Sequence, residues 1–197
     1  MNPFGTNVIA GYTAAMRLDS FAAMPAMNLS MALSTFVGQN LGAGKPERVR
    51  RGYTSTLIVS LVISIVMTMV MVLFKYRLIG LFTDDPEVQF YGAEYLVIVS
   101  SFYVLFTSMF VTGGVLRGAG DTFIQMIFTI TALWVVRIPA AAFLSSLFGT
   151  AGIWWGIPAG WFVGFAGSFA YFLSGRWKRK VIVKPTGARI AEEPGVS

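Results

Sequence analysis

Apolar residues run along this chain in long blocks, broken by short polar segments that hold nearly all of the charge. From Val8 to Asn40 only Arg17 and Asp19 are charged, and no charge appears again before Lys45. The runs Gly52–Phe74, Tyr95–Leu116, Thr122–Val136 and Ile138–Gly175 contain no Asp, Glu, Lys or Arg. A helix needs about 20 apolar residues to cross a hydrocarbon core about 30 Å thick. The blocks therefore predict an all-α membrane protein with five spanning helices. Span A covers about 8–40, span B 53–74, span C 95–116, span D 123–147 and span E 152–173. A transmembrane barrel would instead give alternating segments of about ten residues.

Local signals punctuate these blocks. Span A is longer than one crossing needs, so tilt or a kink is expected, with Pro25 as its natural place. It ends in GQNLGAGK, where Gly38, Gly42 and Gly44 stop the helix and Pro46 is placed to start the next. The run fails as a phosphate loop: Gln39 stands where that pattern needs glycine, and Pro46 where it needs Ser or Thr. Asp85, Pro86 and Glu87 read as cap, first position and first turn of a helix. In span E, Gly152, Gly156, Gly160 and Gly164 recur every fourth residue, a ridge without side chains for close packing. Trp154, Trp155 and Trp161 near its start, and Trp177 past its end, are placed as interfacial anchors. Residues 1–175 are thus the membrane part, and 176–197 a basic, disordered tail.

Composition narrows the chemistry. Cysteine and histidine are both absent, which removes disulfides, thiol nucleophiles, histidine acid–base catalysis and Cys or His metal sites. No enzyme, cofactor or metal site is expected, since Asp19 is the one acid inside a span. The net charge is +6, but the basic residues stand just beyond apolar spans, where they fix orientation and touch membrane lipid rather than nucleic acid. Lys45, Arg48, Arg50 and Arg51 follow span A, Arg117 follows C, and Arg176, Lys178, Arg179 and Lys180 follow E. The loop after B is richer in acids, and the loop after D has no charge. Positive loops inside place the C-terminus in the cytoplasm and the start of span A outside. An external start without a visible signal sequence raises the expectation of an earlier span.

The polar residues within spans are the candidate functional groups. Arg17 and Asp19 are two apart and do not face each other on a helix. Either both sit at the outer interface or each points into an internal polar surface, and Arg17 is expected to favour the ionised form of Asp19. Arg137, beside Pro139, either snorkels outward or contacts carbonyls that the proline frees. Met24, Met27 and Met31 share one face of span A, facing lipid or a helix, or forming an adaptable surface for apolar ligands. Arg117 and Asp121 flank Gly118 and Gly120, where a local ion pair and a helix cap are expected.

In order along the chain, MRLDSFAAMPAMNLSMALSTFVGQNLGAGKPERV, VLRGAGDT, RIPAAAF and GIWWGIPAG resemble the C-terminal half of bacterial multidrug and toxic compound extrusion transporters. The resemblance covers about residues 5–175. It implies a twelve-helix transporter of two six-helix lobes, in which spans A to E are helices eight to twelve. The first lobe and helix seven would lie outside these residues as partners of this lobe. It also implies a bacterial inner-membrane protein that exports amphipathic or cationic compounds in exchange for Na⁺ or H⁺. The family's acidic coupling positions map to helices one, seven and ten, and span C carries no acid from Tyr95 to Leu116, so the coupling site is expected outside this chain. The resemblance leaves Arg17, Asp19, Gln39, Asn40, Arg117, Asp121 and Arg137 as scaffold and cavity lining. Lipid-linked oligosaccharide flippases of the wider superfamily match less well, and an inactive truncated fragment is the remaining alternative.

The orientation is testable because the chain has no native cysteine. In whole cells an impermeant maleimide should label Asp85→Cys and spare Arg48→Cys; the reverse pattern would invert the topology.

Overall fold

A computed structural model of the chain describes residues 5–179, and all regular structure among them is helical. The helices are α1 (Thr6–Gly42), α2 (Pro46–Leu73), the short α3 (Lys75–Gly80), α4 (Pro86–Ser100), α5 (Tyr103–Gly118), α6 (Thr122–Ile130), α7 (Arg137–Phe148) and α8 (Thr150–Leu173). A π-helical segment, Thr131–Val136, joins α6 to α7, and a 3₁₀ turn, Arg176–Arg179, follows α8. Four rods are long and apolar enough to cross a membrane: α1, α2, α6 through α7, and α8. The pair α4–α5 makes a fifth span when counted as one bent helix.

Helix α1 is the axis of the bundle. Its buried positions Val8, Gly11, Ala15, Leu18, Ala22, Ala26, Ser30, Leu33, Val37 and Leu41 step by three or four residues, which aligns them in one stripe along a helix. That stripe packs on α2, α4 and α5. Small residues let the backbones meet: a methyl on Gly114 would lie 2.6 Å from the Ser30 carbonyl oxygen, and one on Gly11 2.7 Å from that of Val88. The helix runs on through Pro25. At its end Gly44 takes φ +68°, a left-handed conformation that glycine adopts without steric cost, and Pro46 opens α2 as expected.

Span C differs from expectation. Its helix begins at Pro86, with the Asp85 carboxylate accepting from the Glu87 and Val88 amides at 2.9 and 3.3 Å. Glu94 is therefore helical rather than part of a loop. At Ser101–Phe102 the span breaks, and α4 and α5 diverge by 51°. No proline or glycine marks that break in sequence.

Span D is also irregular, and here the cause is local. Pro139 has no N–H, and its ring crowds the carbonyl four residues back, at Val135. Val135 lies in the π-helical segment, whose wider turn relieves the clash. The glycine ridge of α8 packs against this region. A methyl on Gly160 would lie 2.5 Å from the Ala132 carbonyl oxygen, and one on Gly156 2.7 Å from the Ala141 methyl. The tryptophans beside the ridge are a correction. Trp154 and Trp161 are 0% and 5% exposed, and Trp177 is 2% exposed, so all three fill the core; only Trp155 projects outward. Trp154 and Trp177 are held inside by stacked rings and by acceptors for their N–H groups, and Trp161 by the rings of Tyr103 and Phe106. Of the expected tail, only the 3₁₀ turn is described; 180–197 lie outside the described residues.

The ridge makes a direct test. Gly160→Leu should lower stability in detergent by about 1–3 kcal/mol through overpacking, whereas Val163→Leu, at a 38% exposed site, should be near neutral in thermal unfolding.

Candidate functional site

Asp19 sits at the centre of the polar interior. Its carboxylate accepts from the Tyr103 hydroxyl at 2.7 Å and from the Tyr95 hydroxyl at 3.3 Å. Tyr95 belongs to α4 and Tyr103 to α5, so one side chain of α1 holds both halves of the bent span. Tyr95 and Tyr103 are 2% and 4% exposed. Around them Tyr12 stacks on Trp154 with centroids 5.4 Å apart, and Tyr95 meets Trp154 edge-on at 5.3 Å. The Trp154 indole N–H donates to the Glu94 carboxylate at 3.1 Å, which ties α8 to α4.

Arg17 plays no part in this cluster. It is exposed, with its guanidinium 5.9 Å from the Phe82 ring centroid. The expectation that it governs Asp19 fails, because a separation of two residues turns the side chains to different faces. Arg137, a half-buried group at the start of α7, is the cation within electrostatic reach of Asp19 and Tyr95. Its stem packs near Gly160 of α8.

The expected local pair at Arg117 and Asp121 is replaced by longer-range bonds. The Arg117 guanidinium donates to the Ser30 hydroxyl at 2.7 Å, and Ser30 donates on to the Phe110 carbonyl at 2.5 Å. The Asp121 carboxylate accepts from the Tyr171 hydroxyl of α8 and makes no capping bond, although Asp121 stands at the cap position of α6. Gly120 between them takes φ +86°. Gly118 approaches Ser34 and Val37 of α1, and Gly38 faces Gly118 in turn.

The remaining candidates divide by exposure. Asn40 is buried and donates back to the Phe36 carbonyl at 2.8 Å, while Gln39 is exposed. Met24, Met27 and Met31 are 50%, 43% and 66% exposed, on the side of α1 opposite its packed stripe. Sequence reading missed Tyr95, Tyr103, Glu94 and Gln125. Gln125 is buried between Gly113 and Ser168, and accepts from the Ser168 hydroxyl at 3.2 Å. The available signal was a polar tip on an otherwise apolar face, since buried tyrosine and glutamine need partners.

A multi-span helical bundle with a broken span and several polar groups in its interior fits the architecture of a membrane transporter lobe. The family model described as MatE matches residues 1–143, and the chain belongs to that family of transporters. It is 35% identical over 178 residues to "Probable multidrug resistance protein YpnP" of Bacillus subtilis, covering 90% of this chain and 40% of that protein. It is 30% identical over 190 residues to "Probable multidrug resistance protein NorM" of Thermotoga maritima, covering 95% of this chain and 40% of that one. The chain thus spans two fifths of the length of these curated relatives. The fold is similar to the crystal structure of the Vibrio cholerae MATE transporter VcmN, with TM-score 0.83 at 22% identity, covering 91% of this chain and 41% of that one.

The tyrosine pair predicts an asymmetric response. Tyr103→Phe, which removes the shorter bond to a carboxylate, should cost about 1–3 kcal/mol of stability in detergent. Tyr95→Phe should cost less, and equal effects in thermal unfolding would show that bond length does not order the two contacts.

Proposed function

We propose that this chain forms the last five helices of the second lobe of a cation-coupled antiporter that exports amphipathic or cationic compounds in exchange for Na⁺ or H⁺. The observation that carries the reading is the free face of α1, where Met24, Met27 and Met31 stand exposed in a fold of the MatE family. Thioether side chains are unbranched and polarisable, so they repack around apolar ligands of different shape. In the complete transporter this face and Arg17 line the path between the lobes. The C-terminus lies in the cytoplasm on this reading, supported by the basic loops after α1 and α5.

Asp19 serves as a positioning group in the proposal. Both of its oxygens are engaged by tyrosines across the bend, so its work is to hold α1 against α4 and α5. The group whose occupancy by Na⁺ or H⁺ changes during the cycle then belongs to the partner lobe.

A complete transporter containing this chain, reconstituted in proteoliposomes, tests both statements. Ion-gradient-driven movement of a lipophilic cation is expected, with the ion dependence unchanged in Asp19→Asn. A complete protein that moves no such cation would refute the transport reading. Loss of ion-driven exchange in Asp19→Asn, at normal membrane levels and with substrate binding intact, would make Asp19 the coupling site.

A further inference from the structure

The N-terminal turns of α2 and the end of α8 enclose a cleft of about 240 Å³ whose lining includes Glu47, Arg50, Phe172, Leu173, Trp177 and Lys178. Its wall is firmly built. Trp177 is 2% exposed, stacks on Phe172 at 5.5 Å with the rings 7° from parallel, and donates its indole N–H to the Phe172 carbonyl at 2.9 Å. Against this aromatic wall the Lys178 ammonium lies 5.6 Å from the Trp177 centroid. Arg50 and Glu47 approach from α2, both exposed. Leu173, 67% exposed, carries the cleft onto the apolar outer surface of the bundle.

The cleft therefore combines two cations, one carboxylate and an apolar exit, at the level where two spans leave the membrane. Drug-sized sites run about 300–1,000 Å³, so this one suits a small headgroup rather than a transported compound. We propose that it binds the headgroup of an aminophospholipid. The phosphodiester pairs with Arg50 and Lys178, the ammonium pairs with Glu47, and an acyl chain lies along Leu173 and Phe172. Lys45, Arg48 and Arg51 on the same helix end add an attractive field for the phosphate. Glu47 sets the selectivity: a glycerol headgroup brings it hydroxyl donors but no cation, and a choline group brings a cation with no N–H donor. The site is independent of the proposed transport path, because its lining shares no residue with the face formed by Arg17, Met24, Met27 and Met31.

The test measures binding to the detergent-solubilised 197-residue chain by native mass spectrometry and thermal unfolding. The probes are dioctanoyl forms of phosphatidylethanolamine, phosphatidylglycerol and phosphatidylcholine, dioctanoylglycerol, and soluble glycerophosphoethanolamine. Phosphatidylethanolamine should bind best and raise the unfolding midpoint. Arg50→Ala with Lys178→Ala should weaken it about tenfold, and Glu47→Gln should bring phosphatidylglycerol up to the same level. Equal binding of all three phospholipids to the wild type would overturn the proposal, as would undiminished binding by a double variant of normal helical content. Soluble glycerophosphoethanolamine matching the lipid would make this a site for a free phosphate compound, and the lipid assignment would be wrong. Should the double variant not fold, the ranking of the probes on the wild type decides alone.

Discussion

A bent helix inside hydrocarbon must find partners for the backbone groups that the bend releases, because no water is present to take them. Much of the polar chemistry in this chain answers that constraint at Ser100–Phe102. The Thr68 hydroxyl of α2 donates to the Ser100 carbonyl at 2.6 Å, the Ser101 hydroxyl returns to the Val97 carbonyl at 2.7 Å, and the Phe102 amide reaches the Val99 carbonyl at 3.1 Å. One turn further into α5, Thr107 shares a hydrogen bond of 2.5 Å with Ser64 of α2. On the opposite side Asp19 ties the two halves together through their tyrosines. The bend is thus clasped by α1 and α2.

The other half of the bundle meets the same requirement by close packing. Helix α8 gives up side chains at four successive turns so that the π-helical segment and α7 can lie directly on it. Proline 139 creates a local misfit, the π-helical turn absorbs it, and Ala132 and Ala141 fit where larger residues would not. Dispersion between closely packed atoms then holds helices that the hydrophobic effect cannot drive together in lipid. Gln125 fills a polar gap between Gly113 of α5 and the Ser168 hydroxyl of α8.

Most span positions, the Asp85 cap and the glycine spacing were legible in the sequence because they depend on local rules. The Asp85 cap, Pro46 at the start of α2 and the ridge on α8 all came from patterns of a few residues. The break in span C was not legible, because Ser101 and Phe102 are ordinary helix residues and the bend is imposed by neighbours from α1 and α2. The partners of Asp19, Arg117 and Asp121 escaped for the same reason. Each lies 50 or more residues away in sequence, and proximity along the chain pointed to the wrong neighbour in all three cases. Trp154 and Trp177 were misplaced because an amphipathic ring can satisfy its N–H from a carboxylate or a carbonyl inside the bundle as well as from water at an interface.

The contrast between engaged and exposed polar groups separates two kinds of residue that look alike in sequence. Asp19, Asp121, Gln125, Asn40 and Glu94 all accept or donate within the bundle, and each bond joins helices or closes a turn. Replacing Asp19, Asp121, Gln125 or Glu94 leaves a partner from another helix without that bond in a low-dielectric interior, so a loss of activity at these positions would report on the scaffold before it reports on transport. Arg17 stands on the outside of α1, with Met24, Met27 and Met31 exposed further along the same helix. Those side chains are free to meet lipid, a second lobe or a bound compound without disturbing the packed stripe behind them. Substitutions on that face therefore cost little stability, while the carboxylates and tyrosines behind it keep α1 in place. The same α1 carries both surfaces, which is why a helix almost twice the length of a single crossing can organise the bundle and still present a face to something beyond it.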